Sequence, residues 1–377
     1  MQTFDAIVLG LGGMGSAALY HLAKRGTRVL GLEQFPLVHA RGSSHGQTRI
    51  IRTAYYEHPS YVPLVRRSFE LWRELESLSG QQLLTPSPCL TVGPPGGELV
   101  TGVLRAAREH NLHIDHLNSA EIERDYPAFQ IGPEYEGLVE RDAGVLFVEK
   151  CVQAQLDAAR LHGAMIRSET PVLNWSASDS GVSINTVSET FHAKKLVITA
   201  GAWANGLLSN IGVPLTVMRQ TMHWFQPHNY LSFETVRFPI FLLDTPEGAF
   251  YGLPAVDARG VKIARHYGAP ELTGPDDVNW TVGEDDERPV RAFLERYIPS
   301  AVGPTTGQVC MYTLTPDRHF VIDLHPHHPN VAVAAGFSGH GFKFSPVVGE
   351  FLAELVEWGK AKNELSLFET NRFQTTG

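Results

Sequence analysis

"FDAIVLGLGGMGSAALYHLAKRG", Phe4 to Gly26, sets a glycine cluster between two segments of different periodicity. The first, "FDAIVLG", is a short apolar run with β-branched residues, the pattern of a buried parallel strand. The last, "SAALYHLAKRG", has helical spacing and stops at Gly26. Between them Gly10, Gly12 and Gly15 stand in G-x-G-x-x-G register, with Gly13 and Met14 filling the turn. The first glycine makes the tight turn, the second admits a pyrophosphate against the backbone, and the third lets helix pack on strand. The free N–H groups of the helix start face the phosphates. A second strand, "TRVLGLEQ", ends at Glu33 and Gln34, about 20 residues further on, where an acid reaches ribose hydroxyls. Strand, turn, helix, strand and acid together predict a dinucleotide-binding α/β fold.

The rest of the chain narrows the class. At 377 residues it is long enough for two interleaved domains, and its net charge of −9 argues against a nucleic-acid partner. No apolar run reaches the roughly 18 residues of a membrane span. Asp5 already lies in the first core strand, so no secretory leader is expected. Three cysteines, Cys89, Cys151 and Cys310, make no disulfide framework, which points to a reducing, cytoplasmic setting. The ending "FQTTG" is not a peroxisomal address.

After the second strand comes "HARGSSHGQTRIIRTAY", with Arg41, Gly42, Ser43, Ser44, His45, Arg49 and Arg52. Small residues let a backbone lie against a ring, and arginines hold phosphate or carboxylate. Further on, "LFVEKCVQAQLDAARLHGAMI" reads as a helix, "MIRSETPVLNWS" as a strand, and "FHAKKLVITAGAWANGLL" as a buried strand leading into another helix. Residues 81–95 and 216–268 carry short alternating runs instead, which predict an antiparallel sheet. If 261–266 is a strand, Lys262, Ala264 and His266 share one face. Cys310, between apolar neighbours, reads on its own as a small core residue. His325, His327 and His328 in "LHPHHPN" read as an exposed turn rather than a metal site. Near the C-terminus "GFSGHGFKFSPVVGEF", Gly336 to Phe351, packs glycines, a His and a Lys into the start of a helix.

Taken together, "GLGGMG", "GSSHGQTRIIR", "CMYTLTPD" and "GFSGHGFKF" resemble the monomeric sarcosine oxidase family of flavoproteins, in order and along essentially the whole chain. The resemblance implies bound FAD, attached covalently through Cys310 of "VCMYT". It implies a flavin surface formed by the N-terminal glycines with Met14, by Glu33, Gln34, Arg41, Gly42, Ser43, Ser44, Arg49 and Ile50, then Val172, Ala200, Gly201 and Trp203, and finally Met311, Gly339, His340, Gly341, Phe342 and Lys343. A helix N-terminus with glycine N–H groups stabilises the negative charge of a reduced flavin. Arg52 and Lys343 match the clamp for a substrate carboxylate. Tyr251 and His266 match positions lining the substrate pocket, and Leu242 falls among its apolar residues. Lys262 matches the lysine near flavin N5 where oxygen is reduced, while His45 and Arg49 match residues beside the ring.

The implied enzyme is a monomer that oxidises a secondary amino acid. A hydride equivalent passes to flavin N5, the imine is hydrolysed, and O2 becomes H2O2. Sarcosine, N-methyl-alanine, pipecolate, proline and N-methyltryptophan remain open as substrates; "EQFPLVHARGSSHGQTRIIR", with Ser44 and Gln47, leans toward the pipecolate and peroxisomal sarcosine branch. Three rivals stand beside this reading: an FAD-dependent dehydrogenase with another electron acceptor, an amadoriase-type oxidase of fructosyl amino acids, and a non-catalytic flavin-binding module. The expected organisation is a discontinuous FAD-binding domain (1–80, 145–215, 318–377) with an interleaved, β-rich substrate domain (81–144, 216–317).

Overall fold

The computed structural model describes residues 3–208 and 211–373. Among them the strands form three sheets, of eight, nine and three strands. The eight-stranded sheet is built around β1 (Thr3–Leu9), which pairs in parallel with β2 (Val29–Leu32) on one side and the strand Thr190–Ile198 on the other. Its apolar run is covered on both faces, with Ala6, Ile7 and Val8 fully buried. Strand His328–Ala335 continues the parallel set, and antiparallel hairpins close two edges. This is a Rossmann-like α/β core with β1 at its centre.

Helix α1 (Gly13–Lys24) follows the glycine turn and buries Gly13, Gly15, Ser16, Ala17 and Ala18. These small residues let the C-terminal helix Ser345–Trp358 come very close: a Cβ on Gly349 would lie 2.5 Å from the Ala17 carbonyl carbon. The two glycine clusters at opposite ends of the chain therefore meet, and a Cβ on Gly13 would touch the Phe342 ring at 3.1 Å.

The nine-stranded sheet has its own aromatic core. Phe250 and Phe293 stack with centroids 4.2 Å apart, and Phe241 packs beside them. Such a pair adds about 0.5–1.5 kcal/mol beyond its buried area. Two long strands, Thr216–Phe225 and Thr305–Leu314, pair over their full length and set Cys310 opposite Gln220. The third sheet joins β3 (Thr48–Arg52) to Ala143–Phe147 and Leu84–Pro86.

Four expectations need correction. The nine-stranded sheet is not wholly antiparallel, because Ile240–Thr245 pairs in parallel with Cys89–Gly93. The single strand expected in "MIRSETPVLNWS" breaks into Met165–Arg167 and Val172–Ser178, at a segment where Glu169 takes φ +53° and Pro171 follows. The helix after Thr190–Ile198 is a short 3-10 turn and one turn of α-helix, Ala204–Leu207. The histidine turn joins Val321–His325 to His328–Ala335, but His325 is buried against Trp175 rather than exposed.

Candidate active site

The glycine turn forms the floor of a cleft of about 340 Å³. Gly10 takes φ +84°, and a Cβ there would lie 2.6 Å from the Thr199 carbonyl oxygen; on Gly15 it would lie 1.7 Å from that of Gly10. Gly12 is different. A Cβ there meets nothing nearer than Ser44 Oγ at 3.5 Å, so its missing side chain leaves open the cleft it lines. Gly13 N–H donates to Ser44 Oγ at 3.0 Å, joining the turn to the 41–50 loop. Glu33 lines the same cleft, its carboxylate accepting Leu11 N–H at 2.8 Å and Phe35 N–H at 3.1 Å. Burial alone would raise this carboxyl, but His39 and the two amides hold it below the ordinary value.

Met14, Gln34, Gly42, Ser43, Ser44, Val172, Ala200, Gly201, Trp203, Met311, Gly339, Gly341 and Phe342 also line the cleft. Gly15 lies beneath its floor. A main-chain cradle at a helix start, an acid at the next strand end and an elongated apolar-walled trough fit a dinucleotide such as FAD. Arg41 is not part of this wall; it is exposed and lies over Trp280.

Cys310 is 2% exposed and lines neither cavity; it lies behind the cleft wall formed by Ser43, Arg49 and Met311. Its Sγ is 3.7 Å from Arg49 Nη2 and 3.8 Å from the carbonyl oxygens of Ser43 and Met311. Arg49 also donates to the Thr48 and Ser43 carbonyls, at 2.8 Å each. His45 is buried, with neither ring nitrogen hydrogen-bonded, and burial pushes it down to about 4. Lys262 lines neither cavity. Its Nζ donates to Gly46 O at 2.7 Å and Thr48 O at 2.8 Å, behind the loop. Burial, then the nearby Arg49, lowers its pKa well below the ordinary value.

A second cavity of about 70 Å³ adjoins the first, sharing Arg49, Gly339 and Phe342 as a common wall. It is lined by Ile50, Arg52, Tyr251, His266, His340 and Lys343, with Leu242, Leu99, Tyr56 and Glu57. Arg52 ends β3 and Lys343 lies in the 3-10 turn Phe342–Phe344 before the C-terminal helix, so two distant motifs put cations in one buried space. His266 follows the strand Val261–Arg265; burial pushes it down to about 3, so its ring is neutral, and its Nδ1 has no hydrogen-bond partner.

The surroundings of Lys343 fix a tautomer. His340 Nε2 faces the Arg318 carbonyl at 3.0 Å, so that nitrogen carries the proton. Burial pushes His340 to about 4, leaving Nδ1 a neutral acceptor for the Tyr55 hydroxyl at 2.7 Å. The Tyr55 oxygen then accepts from Lys343 Nζ at 3.3 Å, and the His340 carbonyl accepts a second Lys343 N–H at 2.7 Å. One of the three ammonium N–H groups is left over. Burial, reinforced by Arg52, lowers Lys343 to about 7.

Sequence reasoning missed Glu57, Tyr55 and Glu140. Glu57 pairs with Arg52 at 2.7 Å. Burial would raise its carboxyl, but Arg52, with His340 and Lys343, holds it down to about 2. Arg52 also lies over the Tyr55 and Tyr56 rings at 4.4 and 4.7 Å. Glu140 accepts Thr53 N–H and Ala54 N–H at 2.6 Å each, fixing the chain just after Arg52, and burial pushes it up to about 7. The one sequence signal was an acid five residues beyond Arg52 in the tyrosine-rich "RTAYYE".

This geometry agrees with what the chain is similar to. The family model for FAD dependent oxidoreductases matches residues 5–355. A monomeric sarcosine oxidase of Arthrobacter sp. (strain TE1826) is 43% identical, the match covering 98% of this chain and 97% of that protein. An N-methyl-L-tryptophan oxidase of Salmonella agona (strain SL483) is 33% identical, over 98% of this chain and 99% of that one. The solved structure of NikD, an amino acid oxidase, superposes with a TM-score of 0.86 at 24% identity, covering 98% of both chains; at that identity the likeness carries the fold alone. The chain belongs to the FAD dependent oxidoreductase family and, within it, to the group of the monomeric sarcosine oxidases. It is an FAD-dependent amine oxidoreductase. No helix among the described residues is long and apolar enough to cross a membrane.

Proposed function

We propose that this enzyme oxidises small secondary amino acids, with sarcosine as the type substrate and O2 as the acceptor. The observation that carries the reading is the convergence of Arg52 and Lys343 on a small cavity that opens onto the dinucleotide cleft. FAD, when bound, accepts the hydride equivalent from the carbon beside nitrogen and passes the electron pair to O2, giving H2O2. The chain supplies orientation and charge. The substrate carboxylate takes the spare Lys343 N–H and the Arg52 guanidinium, in competition with Glu57. Neutral His266, with its free Nδ1, and Tyr251 flank the amine. Lys262 gives positive charge on the oxygen side, where superoxide forms first. Arg49 lies beside both that lysine and the tether, and His45 is near Arg49 and Lys262.

Size supports sarcosine over N-methyltryptophan. The cavity is about 70 Å³, roughly half of the ~150 Å³ that admits benzene.

The covalent link through Cys310 is part of the same proposal, supported by the buried thiol just behind the cleft-lining Arg49 and Met311. So is the two-domain division at 1–80, 145–215 and 318–377 against 81–144 and 216–317. Every strand of the eight-stranded sheet lies in the first set and every strand of the nine-stranded sheet in the second, while the three-stranded sheet straddles them. We place the enzyme in the cytoplasm as a monomer; its buried cysteines form no disulfide, which agrees with a reducing compartment.

The test is a panel of N-methyl, cyclic and fructosyl amino acids, scored by anaerobic bleaching of the yellow enzyme and then by oxygen uptake. Bleaching by sarcosine with rapid oxygen uptake is the expected result. Bleaching without uptake would favour the dehydrogenase, fructosyl substrates the amadoriase, and no bleaching a binding module. Acid-denatured enzyme is expected to stay yellow and carry one FAD mass; release of all its FAD would remove the tether.

A further inference from the structure

Lys262 is 1% exposed, and its two hydrogen bonds go to main-chain carbonyls of one turn, Gly46 and Thr48. Those carbonyls converge because the backbone is left-handed at two successive residues, Gly46 at φ +85° and Gln47 at φ +69°. A glutamine holds that conformation only where its surroundings enforce it.

Two sets of contacts enforce it here. Glu149, in the first turn of the helix Val148–Leu161, accepts Gly46 N–H at 2.8 Å and Gln47 N–H at 3.0 Å. The Gln47 side chain is held at both ends: its oxygen accepts Trp224 Nε1–H at 2.9 Å, and its amide nitrogen donates to Asp257. Trp224 in turn lies under the Lys262 ammonium, 5.4 Å from ring centre to Nζ. None of Gln47, Glu149, Trp224 and Asp257 lines either cavity.

The Gln47 N–H and the Gly46 C=O belong to the same peptide group. Glu149 therefore binds one end of a single peptide dipole and Lys262 the other. An anion on the N–H end makes the carbonyl a stronger acceptor, since hydrogen bonds in a chain polarise one another. Of the charged groups around Lys262, Arg49 and Arg259 oppose its charge and Glu149 favours it; Cys310, once a thioether, carries no charge. His45 lies close by.

We propose that Glu149 and Gln47 are positioning residues for Lys262, aiming and sustaining its ammonium through the Gly46–Gln47 peptide, and that they set the rate at which O2 reoxidises the enzyme. The proposal rests on the reading of Lys262 as the oxygen-side cation.

The test uses FAD-loaded enzyme and three variants. Glu149→Gln keeps an acceptor oxygen but removes the charge. Glu149→Leu removes both. Gln47→Gly keeps the left-handed turn but cuts the link to Trp224 and Asp257. Stopped-flow absorbance follows anaerobic reduction by sarcosine and reoxidation by O2 separately. Reoxidation is expected to slow roughly 10- to 100-fold in Glu149→Leu, the scale of a 1 Å misplacement, and less in the other two. Reduction should change by less than about twofold in all three, a split that general loss of structure would not produce. In Glu149→Gln the pH above which reoxidation fails should move to lower pH, because Lys262 then loses its proton more readily. A crystal structure of Glu149→Leu should show Nζ withdrawn from Gly46 O. Wild-type reoxidation in the Glu149 and Gln47 variants, with Nζ in place, would overturn the proposal if Lys262→Met is slow. If Lys262→Met itself reoxidises at the wild-type rate, the oxygen-side reading falls instead, and the Nζ position still decides whether Glu149 positions it.

Discussion

The two ends of the active-site region are built from different materials. At the nucleotide end, Gly10 to Gly15, recognition is a matter of backbone, and side chains matter chiefly by their absence. At the substrate end, Arg52, Glu57, Lys343, His266 and His340 crowd charge and titratable groups into a buried space. A backbone site is fixed by steric exclusion and tolerates no added atom. A charge site is fixed by mutual compensation, so changing one group alters affinity or protonation while the fold stands. The comparison teaches which failures to expect at each end.

The largest effect belongs to the backbone end. Gly15→Ala puts a Cβ 1.7 Å from the Gly10 carbonyl, and the protein is expected to lose both FAD and thermal stability. Gly12→Ala, with its nearest neighbour at 3.5 Å, should fold with nearly unchanged melting temperature yet load less FAD. Differential scanning calorimetry with flavin absorbance checks both; equal behaviour of the two variants would break the distinction between floor and cleft.

At the charge end the ordering follows from what each cation does. Lys262→Met should slow reoxidation by about two to four orders of magnitude, with anaerobic reduction falling much less. A wild-type reoxidation rate would take Lys262 out of oxygen chemistry and bring Arg49 forward. Lys343→Met removes one charge-assisted hydrogen bond, worth about 1.5–3 kcal/mol, so sarcosine and acetate should each bind roughly 10- to 100-fold more weakly with flavin retained. Unchanged Kd values for both, by spectral titration, would remove Lys343 from the clamp.

The smallest effect is in pH. Burial, then Arg52, lowers Lys343 to about 7. Its charge is present below that pH and is lost as pH rises through it. Acetate, ionised throughout, should bind with constant affinity below about pH 7 and weaken by up to tenfold per unit above. The break ends where the acetate complex, which favours the ammonium, itself titrates. Glu57, His340 and His266, held to about 2, 4 and 3, do not titrate in this window; Glu140, pushed up to about 7 behind Arg52, does, so the break belongs to Lys343 only if Lys343→Met, which keeps Glu140, abolishes it. A flat profile from pH 6 to 9 would show that Lys343 keeps its proton through the range.

The same contrast governs what could be read without coordinates. The strand–turn–helix at Phe4 to Gly26 was legible because its causes are local: a short apolar, β-branched run, glycine at a φ of +84°, and a helix start. Arg52 and Lys343 were legible only through the resemblance of their motifs. Glu57 was missed although it lies five residues from Arg52, because a sequence does not say whether an acid is buried. Glu149 was missed for the same reason: within its helix it reads as an ordinary first-turn acid, and the turn it holds lies 102 residues earlier.

The sequence by itself determined the nucleotide-binding turn, the α/β core around β1 and the residue types at hand, since these follow from neighbours along the chain. Only the tertiary structure decided which cations share a cavity, which histidine nitrogen bears a proton, and that Arg41 stands outside the cleft. Lys343 and Tyr55 meet across 288 positions. Protonation depends on burial and on charges within a few ångströms, and both exist only once distant segments have packed.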